Sequence, residues 1–289
     1  MKQYSLNDSS ILRLVQIALA EDIGSGDLTS EALIDPDANG HATLLAKSDG
    51  VIAGTVIAGL VFGQVDRTTS CDWQIEEGAS VTSGTILAHL HGTVRGLLGA
   101  ERTALNFLQR MSGVATLTRR YVDAVTGTGA TILDTRKTIP GWRELDKYAV
   151  AAGGGTNHRM GLYDMVMIKD NHIAAHGGIA GAVAIVRERL KEWGRPEVKI
   201  EVETKSLEEV SEAVSCEGVG RIMFDNFSPE LLREAVILVG DRCDTEASGG
   251  ITLANVREIA ETGVRYISVG AITHSASALD ISMELIAAA

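Results

Sequence analysis

The chain has 289 residues, enough for one large α/β domain or two unequal domains with a sizeable buried core. Hydrophobic residues make up 45% and charged residues 22%, an ordinary globular balance. A net charge of −12 argues against nucleic acid and anionic membrane as bulk partners, because a phosphate-tracking surface needs a positive excess. Residues 133–173 depart from this background, with six Lys or Arg against five Asp or Glu, a local net of +1 that leaves −13 elsewhere. A cationic pocket inside an acidic protein suits a small anionic ligand. Cys71, Cys216 and Cys243 form no CxxC pair and are odd in number, which speaks against a disulfide framework and for a reducing cytoplasm. Arg13 and Glu21-Asp22 break the pattern of a signal peptide, and the longest apolar run, 53–62, is too short to span a bilayer.

In chain order, Asp8 or Ser9 can cap a first helix with Ile11, Leu12, Val15, Ala18 and Leu19 on its apolar face. A polar turn over 21–30 follows. Segments 41–47 and 51–57 look like strands joined by a tight turn at Asp49-Gly50. Residues 76–87 have the turn-and-strand pattern of a biotinyl or lipoyl carrier, but no lysine sits at a hairpin tip, so a small β-rich domain is the better reading. A long helix is expected over 94–125, interrupted near Gly113, with Leu97, Leu98, Leu105, Leu108, Met111 and Leu117 inward.

The second half changes rhythm. Six strand-like runs end in Asp134-Thr135-Arg136-Lys137, Ile168-Lys169-Asp170, Glu201-Val202-Glu203, Phe224-Asp225-Asn226, Ala247-Ser248-Gly249-Gly250 and Val269-Gly270-Ala271. Lys199, Arg221, Asp244 and Tyr266 begin successive units 22, 23 and 22 residues apart, with helices expected over 179–193, 207–215, 229–239 and 253–262. This is the rhythm of βα units around a parallel sheet, and such barrels gather their chemistry at the carboxyl ends of the strands. Only six strands are evident, with a seventh near 113–116 or 153–156, so an incomplete barrel is expected.

The strand ends carry poly-anion chemistry. Arg136 and Arg159 offer planar forks for carboxylates, while Lys137 and Lys169 are compact point charges. Surface pairing with Asp134, Glu144 or Asp146 is the bland alternative. Lys169 ends an apolar run, where desolvation favours a neutral, nucleophilic amine, so a Schiff-base lyase competes; pairing with Asp170 or a barrel carboxylate would remove that chemistry. Glu201 and Glu203 lie two apart on one strand and so share a side. With Asp225 they could hold Mg²⁺, bind ribose hydroxyls or neutralise the lysines. Ser248-Gly249-Gly250 before a helix start, repeated by Gly270 one unit later, is a phosphate-binding arrangement.

In order, Glu101-Arg102-Thr103-Ala104-Leu105-Asn106, Asp134-Thr135-Arg136-Lys137-Thr138, Asn157-His158-Arg159, Ile168-Lys169-Asp170-Asn171-His172, Asp225-Asn226-Phe227 and Glu246-Ala247-Ser248-Gly249-Gly250-Ile251 resemble the quinolinate phosphoribosyltransferases. These are the decarboxylating pentosyltransferases of NAD biosynthesis, also called nicotinate-nucleotide pyrophosphorylases (carboxylating). The resemblance implies an α/β fold: a small amino-terminal α/β domain with a β-sheet, over 1–113 and joined by a terminal helix over 275–289, plus an open α/β barrel of the type II phosphoribosyltransferase kind over 114–274. It implies a homodimer with shared active sites, higher assembly left open, and no nucleic-acid or membrane partner. Quinolinate would be bound by Arg102 of the neighbouring subunit with Thr135, Arg136, His158, Arg159 and Lys169. Phosphoribosyl pyrophosphate would meet Lys137, Glu201, Glu203, Asp225, Ser248, Gly249, Gly250, Gly270 and His274. Lys137, Lys169, Glu203 and Asp225 would be catalytic, and Glu203 and Asp225 would hold Mg²⁺ directly or through water. No organic cofactor is implied. Other readings are a pyrophosphorylase of the same fold with another acceptor, a lyase using Lys169, and a non-catalytic anion sensor.

Overall fold

The computed structural model describes residues 9–287. In chain order the elements are α1 (Ser9–Ile23), α2 (Leu28–Leu33), β1 (Asn39–Ala46), β2 (Gly50–Val51), α3 (Thr55–Val65), β3 (Ser70–Trp73), β4 (Ser80–Val81), β5 (Ile86–Thr93) and α4 (Val94–Ala124). There follow β6 (Thr131–Leu133), α5 (Arg143–Ala152), β7 (Val166–Ile168), α6 (Asp170–Ala175), α7 (Ile179–Glu192), β8 (Ile200–Thr204) and α8 (Leu207–Ser215). The chain closes with β9 (Val219–Asp225), α9 (Pro229–Val239), β10 (Asp244–Ser248), α10 (Val256–Ala260), β11 (Tyr266–Ser268), α11 (Ala271–His274) and β12 (Ile281–Ala287). Among the described residues they divide into two compact units, one of residues 9–119, 139–154 and 276–287, the other of 120–138 and 155–275.

The first unit is built on a four-stranded antiparallel sheet in the order β12-β1-β5-β3. Alternation fixes which face is buried: Ala42, Leu44 and Ala46 of β1 point inward with Leu90 and Ala88 of β5 opposite them. Three expectations change here. Residues 281–287 form a strand on β1, not a helix, with Ile281, Met283 and Leu285 sharing one side at period two. The expected hairpin at Asp49-Gly50 is absent. β1 pairs with β5 and β12, β2 pairs with β4, and the chain turns helical at Thr55. Glu77 drives that helix start, its carboxylate accepting from the N–H groups of Gly54 at 2.5 Å and Thr55 at 3.1 Å. Helix α4 runs unbroken through Gly113. That glycine serves a close approach, since a Cβ there would lie 2.0 Å from the Ser277 carbonyl oxygen. The Asp8 cap falls outside the described residues; α1 buries Ile11 and Val15. Asp27 caps α2 by accepting from the N–H groups of Thr29 and Ser30.

The second unit carries the six expected strands as one parallel sheet, in the order β6-β11-β10-β9-β8-β7. Val202, Ile222, Phe224, Ala247 and Ile267 are buried along its strands. Ser206 and Ser228 cap α8 and α9, with Pro229 opening the latter. A seventh segment is present only as a bridge of Thr156 to the outer edge of β6. Among the described residues no ladder joins it to β7, so the barrel is not closed. All six strands end on the same side, which collects their terminal residues.

Candidate active site

A cleft of about 350 Å³ opens at the carboxyl ends of the strands. Thr135, Arg136 and Lys137 enter it after β6, His158 and Arg159 after the Thr156 bridge, and Lys169 after β7. Glu203, Asp225 and Ser248 come from the ends of β8, β9 and β10. The residues expected from their position at strand ends thus share one cavity. Met167, Met223, Glu246 and Ser268 also line it.

Local structure fixes each group. The Thr135 hydroxyl oxygen accepts the Lys137 N–H at 3.0 Å, and the Lys137 carbonyl accepts the Thr273 hydroxyl from α11 at 2.8 Å. A Cβ on Gly270 would come within 3.1 Å of the Lys137 Cδ, so this glycine leaves room for the lysine. The guanidinium of Arg159 donates to the Met165 carbonyl at 3.1 Å. Burial, and then the charge of Arg136, push Arg159 below the usual arginine range. Arg136 and Arg159 both line the cleft, so two guanidinium forks are presented to an anion there. Lys169 is ion-paired with the barrel carboxylate Glu203, while Asp170, the other expected partner, pairs with Lys205 at 2.7 Å. Of the other expected surface partners, Asp146 is buried against Arg110 at 3.2 Å, and Asp134 is buried and accepts the His158 N–H at 2.9 Å.

The loop after β10 is shaped for close approach. Gly249 has φ +92°, and a Cβ there would lie 2.2 Å from the Asn226 side-chain oxygen. Asn226 itself has φ 59°, alone among described non-glycine residues in that region, and its N–H donates to the Ser248 carbonyl at 2.8 Å. The helix expected at 253 begins only at Val256, because Asn255 holds the preceding turn by accepting the Thr252 N–H at 2.8 Å and donating to the Gly250 carbonyl at 3.0 Å. Gly249 and Gly250 lie in the loop after β10, Gly270 just before α11 and His274 at the end of α11, all outside the cleft lining proper. Arg102, exposed on α4, belongs to the other unit.

Glu201 differs from Glu203. It is fully buried beneath the cleft, with its carboxylate 3.2 Å from His158 Nε2 and 3.7 Å from Arg221. Glu246 completes the group, 3.3 Å from His158 Nε2 and 2.7 Å from Arg221. Burial and the neighbouring Glu246 raise the Glu201 pKa, whereas His158 and Arg221 outweigh burial and lower that of Glu246. Although burial opposes the imidazolium, the two carboxylates raise His158 to about 9. The Arg159 N–H aimed at Nδ1 from 2.7 Å opposes a second ring hydrogen. Both features require the hydrogen on Nε2, between the carboxylates. His158, Glu201 and Glu246 could also group around a metal ion, their ligand atoms lying within 4.8 Å of one another. Arg221 already supplies the positive charge there. The carboxylates of Glu203 and Asp225 open to the cleft, hard-oxygen donors of the kind that suit Mg²⁺. Glu246 and Arg221 were missed in the sequence, although Glu246 stands two residues before Ser248 and so shares its side of β10.

The sequence profile described as "Quinolinate phosphoribosyl transferase, C-terminal domain" matches residues 114–284, and the corresponding N-terminal domain matches 27–112. The chain is 46% identical to "Quinolinate phosphoribosyltransferase [decarboxylating] 2, mitochondrial" of Nicotiana glauca over 94% of its own length and 81% of that protein's. It is 43% identical to the "Probable nicotinate-nucleotide pyrophosphorylase [carboxylating]" of Bacillus subtilis, over 97% and 95%. Its fold is similar to the crystal structure of NadC from Streptococcus pyogenes, with a TM-score of 0.93 at 38% identity, covering 99% of this chain and all of that one. With both profiles matched and relatives aligned over almost its whole length, the chain belongs to the quinolinate phosphoribosyltransferase family.

Proposed function

We propose that the cleft transfers phosphoribosyl from phosphoribosyl pyrophosphate to quinolinate with decarboxylation, giving nicotinate mononucleotide, pyrophosphate and CO₂ in de novo NAD synthesis. The single observation that carries this reading is that Arg136, Lys137, Arg159 and Lys169 line one cleft at the carboxyl ends of the strands. Four cations in one cleft suit a multiply charged anion, and quinolinate brings two carboxylates to it. Arg136 and Arg159 bind these carboxylates, with Arg102 reaching them from a partner subunit of a homodimer. The Ser248-Gly249-Gly250 turn and the Gly270 loop receive the 5′-phosphate.

The pyridine nitrogen attacks ribose C1 while the C1–O bond to pyrophosphate breaks, its electron pair leaving with the pyrophosphate. Glu203 and Asp225 stabilise positive charge developing at C1, and Lys137 takes up leaving-group charge. Mg²⁺, held by Glu203 and Asp225, supplies further neutralisation of the pyrophosphate when bound. The ring is then an N-ribosyl pyridinium. The bond from C2 to its carboxylate breaks, its electrons stay at C2, and a proton replaces CO₂. No organic cofactor is needed, because the pyridinium is the electron sink.

The lyase reading is disfavoured by the ion pair between Lys169 and Glu203, since an ammonium has no lone pair with which to attack a carbonyl. No helix among the described residues is long and apolar enough to cross a membrane. The three unpaired cysteines fit a reducing compartment such as the cytoplasm. Mixing the protein with Mg²⁺, phosphoribosyl pyrophosphate and either quinolinate or nicotinate tests the acceptor. Nucleotide is expected from quinolinate alone; equal turnover of nicotinate would assign the cleft another acceptor. Borohydride treatment with substrate should leave Lys169 unmodified.

A further inference from the structure

The outer face of the antiparallel sheet carries a histidine cluster that the phosphoribosyl chemistry does not use. β1 and β5 are its two central strands, and His41 stands directly opposite His91 in their register. Both are exposed. Their rings meet edge to face with centroids 4.6 Å apart at 81°, and the two Nδ1 atoms are in hydrogen-bonding contact. The next row on the same face places His89 opposite Thr43 on one side and Asp72 on the other, with Glu284 beyond Thr43.

Two facing Nδ1 atoms cannot both present lone pairs without repulsion, nor both carry hydrogens without a clash. Either one hydrogen lies between them or a cation does. We propose that His41 and His91 form a surface site for a divalent transition-metal ion of the imidazole-preferring class, Zn²⁺, Ni²⁺ or Cu²⁺. Neutral imidazole nitrogens suit these ions, whereas Mg²⁺ prefers oxygen donors, which separates this site chemically from the Glu203–Asp225 pair. Metal–nitrogen bonds of about 2.0–2.1 Å require the two nitrogens to part by only a small side-chain rotation. Because the two backbones are already held in register by the sheet, little ordering remains when the metal binds. His89, Asp72 and Glu284 in the adjoining row add an acceptor nitrogen and negative charge, and water fills the remaining positions.

The test is calorimetric titration of the full chain, freed of metal by chelation, with Ni²⁺ in excess Mg²⁺ to occupy hard-oxygen sites. The expected result is one Ni²⁺ per chain. Loss of the chelate in His41→Ala or His91→Ala should weaken binding at least about tenfold, while His176→Ala, exposed elsewhere, should leave it unchanged. His91→Gln keeps bulk and polarity on the strand and should behave as His91→Ala, separating ligand loss from misfolding. X-ray absorption of the Ni²⁺ complex should report two imidazoles. Wild-type binding no tighter than that of a folded His41→Ala/His91→Ala double variant would overturn the site and leave the pair sharing a proton only. Loss of binding in His176→Ala instead would overturn it by moving the metal elsewhere.

Discussion

At the scale of single residues the cleft works by unequal division of labour among like charges. Arg136 and Arg159 present guanidinium forks to the cleft, while Lys169 is already engaged by Glu203. Substituting Arg136→Lys should therefore weaken quinolinate binding far more than phosphoribosyl pyrophosphate binding, since lysine cannot reproduce a bidentate fork. A charge-assisted pair lost from such a pocket costs about 1.5–3 kcal/mol, roughly ten- to a hundredfold in affinity. Calorimetry with each substrate separately checks this, and equal losses for both would contradict it. The strand-end cations were legible in the sequence because charge at the end of an apolar run has few structural uses. The layer beneath them was not. Glu201, Glu246, Arg221 and the ring of His158 form one buried network, and only the packing of β8, β9 and β10 shows that Glu201 points under the floor.

At the scale of elements, the β10 loop depends on a glycine that admits no side chain. Gly249→Ala would put a Cβ against Asn226 and strain the backbone at φ +92°. It should reduce binding of ribose 5-phosphate analogues by at least about tenfold while leaving the far-ultraviolet circular dichroism unchanged. Unchanged affinity in the folded variant would remove this turn from the phosphate site. In the other unit, Asp66 ties the end of α3 to the β5–α4 junction. Burial alone would raise its pKa, but hydrogen bonds from Thr68 and Thr93 outweigh burial and lower it from 3.8 to about 2. A folded pKa below the unfolded one gives stability that is present above pH 4 and is lost as pH falls from about 4 to about 2. Discounted for solvent screening, the contribution is on the order of 1 kcal/mol. Asp66→Asn should lose about that much at pH 7 and show a flatter acid limb in urea unfolding against pH; an unchanged limb would contradict the assignment. Element type was readable where period and caps agreed, as in α8 and α9. The terminal helix implied over 275–289 is instead the strand β12, and at Gly113 a glycine chosen for close backbone approach looks like a helix break.

At the scale of the whole molecule, the central questions are whether the catalytic unit is a dimer and whether its reaction is decarboxylating transfer. If Arg102 serves a partner subunit, mixing inactive Arg102→Ala with inactive Lys137→Ala under subunit exchange should restore activity, since each heterodimer regains one intact site. Heterodimers that form but stay inactive would return Arg102 to its own subunit or to no site. The second question has the more direct measurement. Quinolinate labelled in its C2 carboxylate is incubated with the protein, Mg²⁺ and phosphoribosyl pyrophosphate, and labelled CO₂, pyrophosphate and nicotinate mononucleotide are counted together. The account predicts the three in equal amounts, with no CO₂ when phosphoribosyl pyrophosphate is left out. CO₂ released without it, or nucleotide that retains the label, would contradict the account.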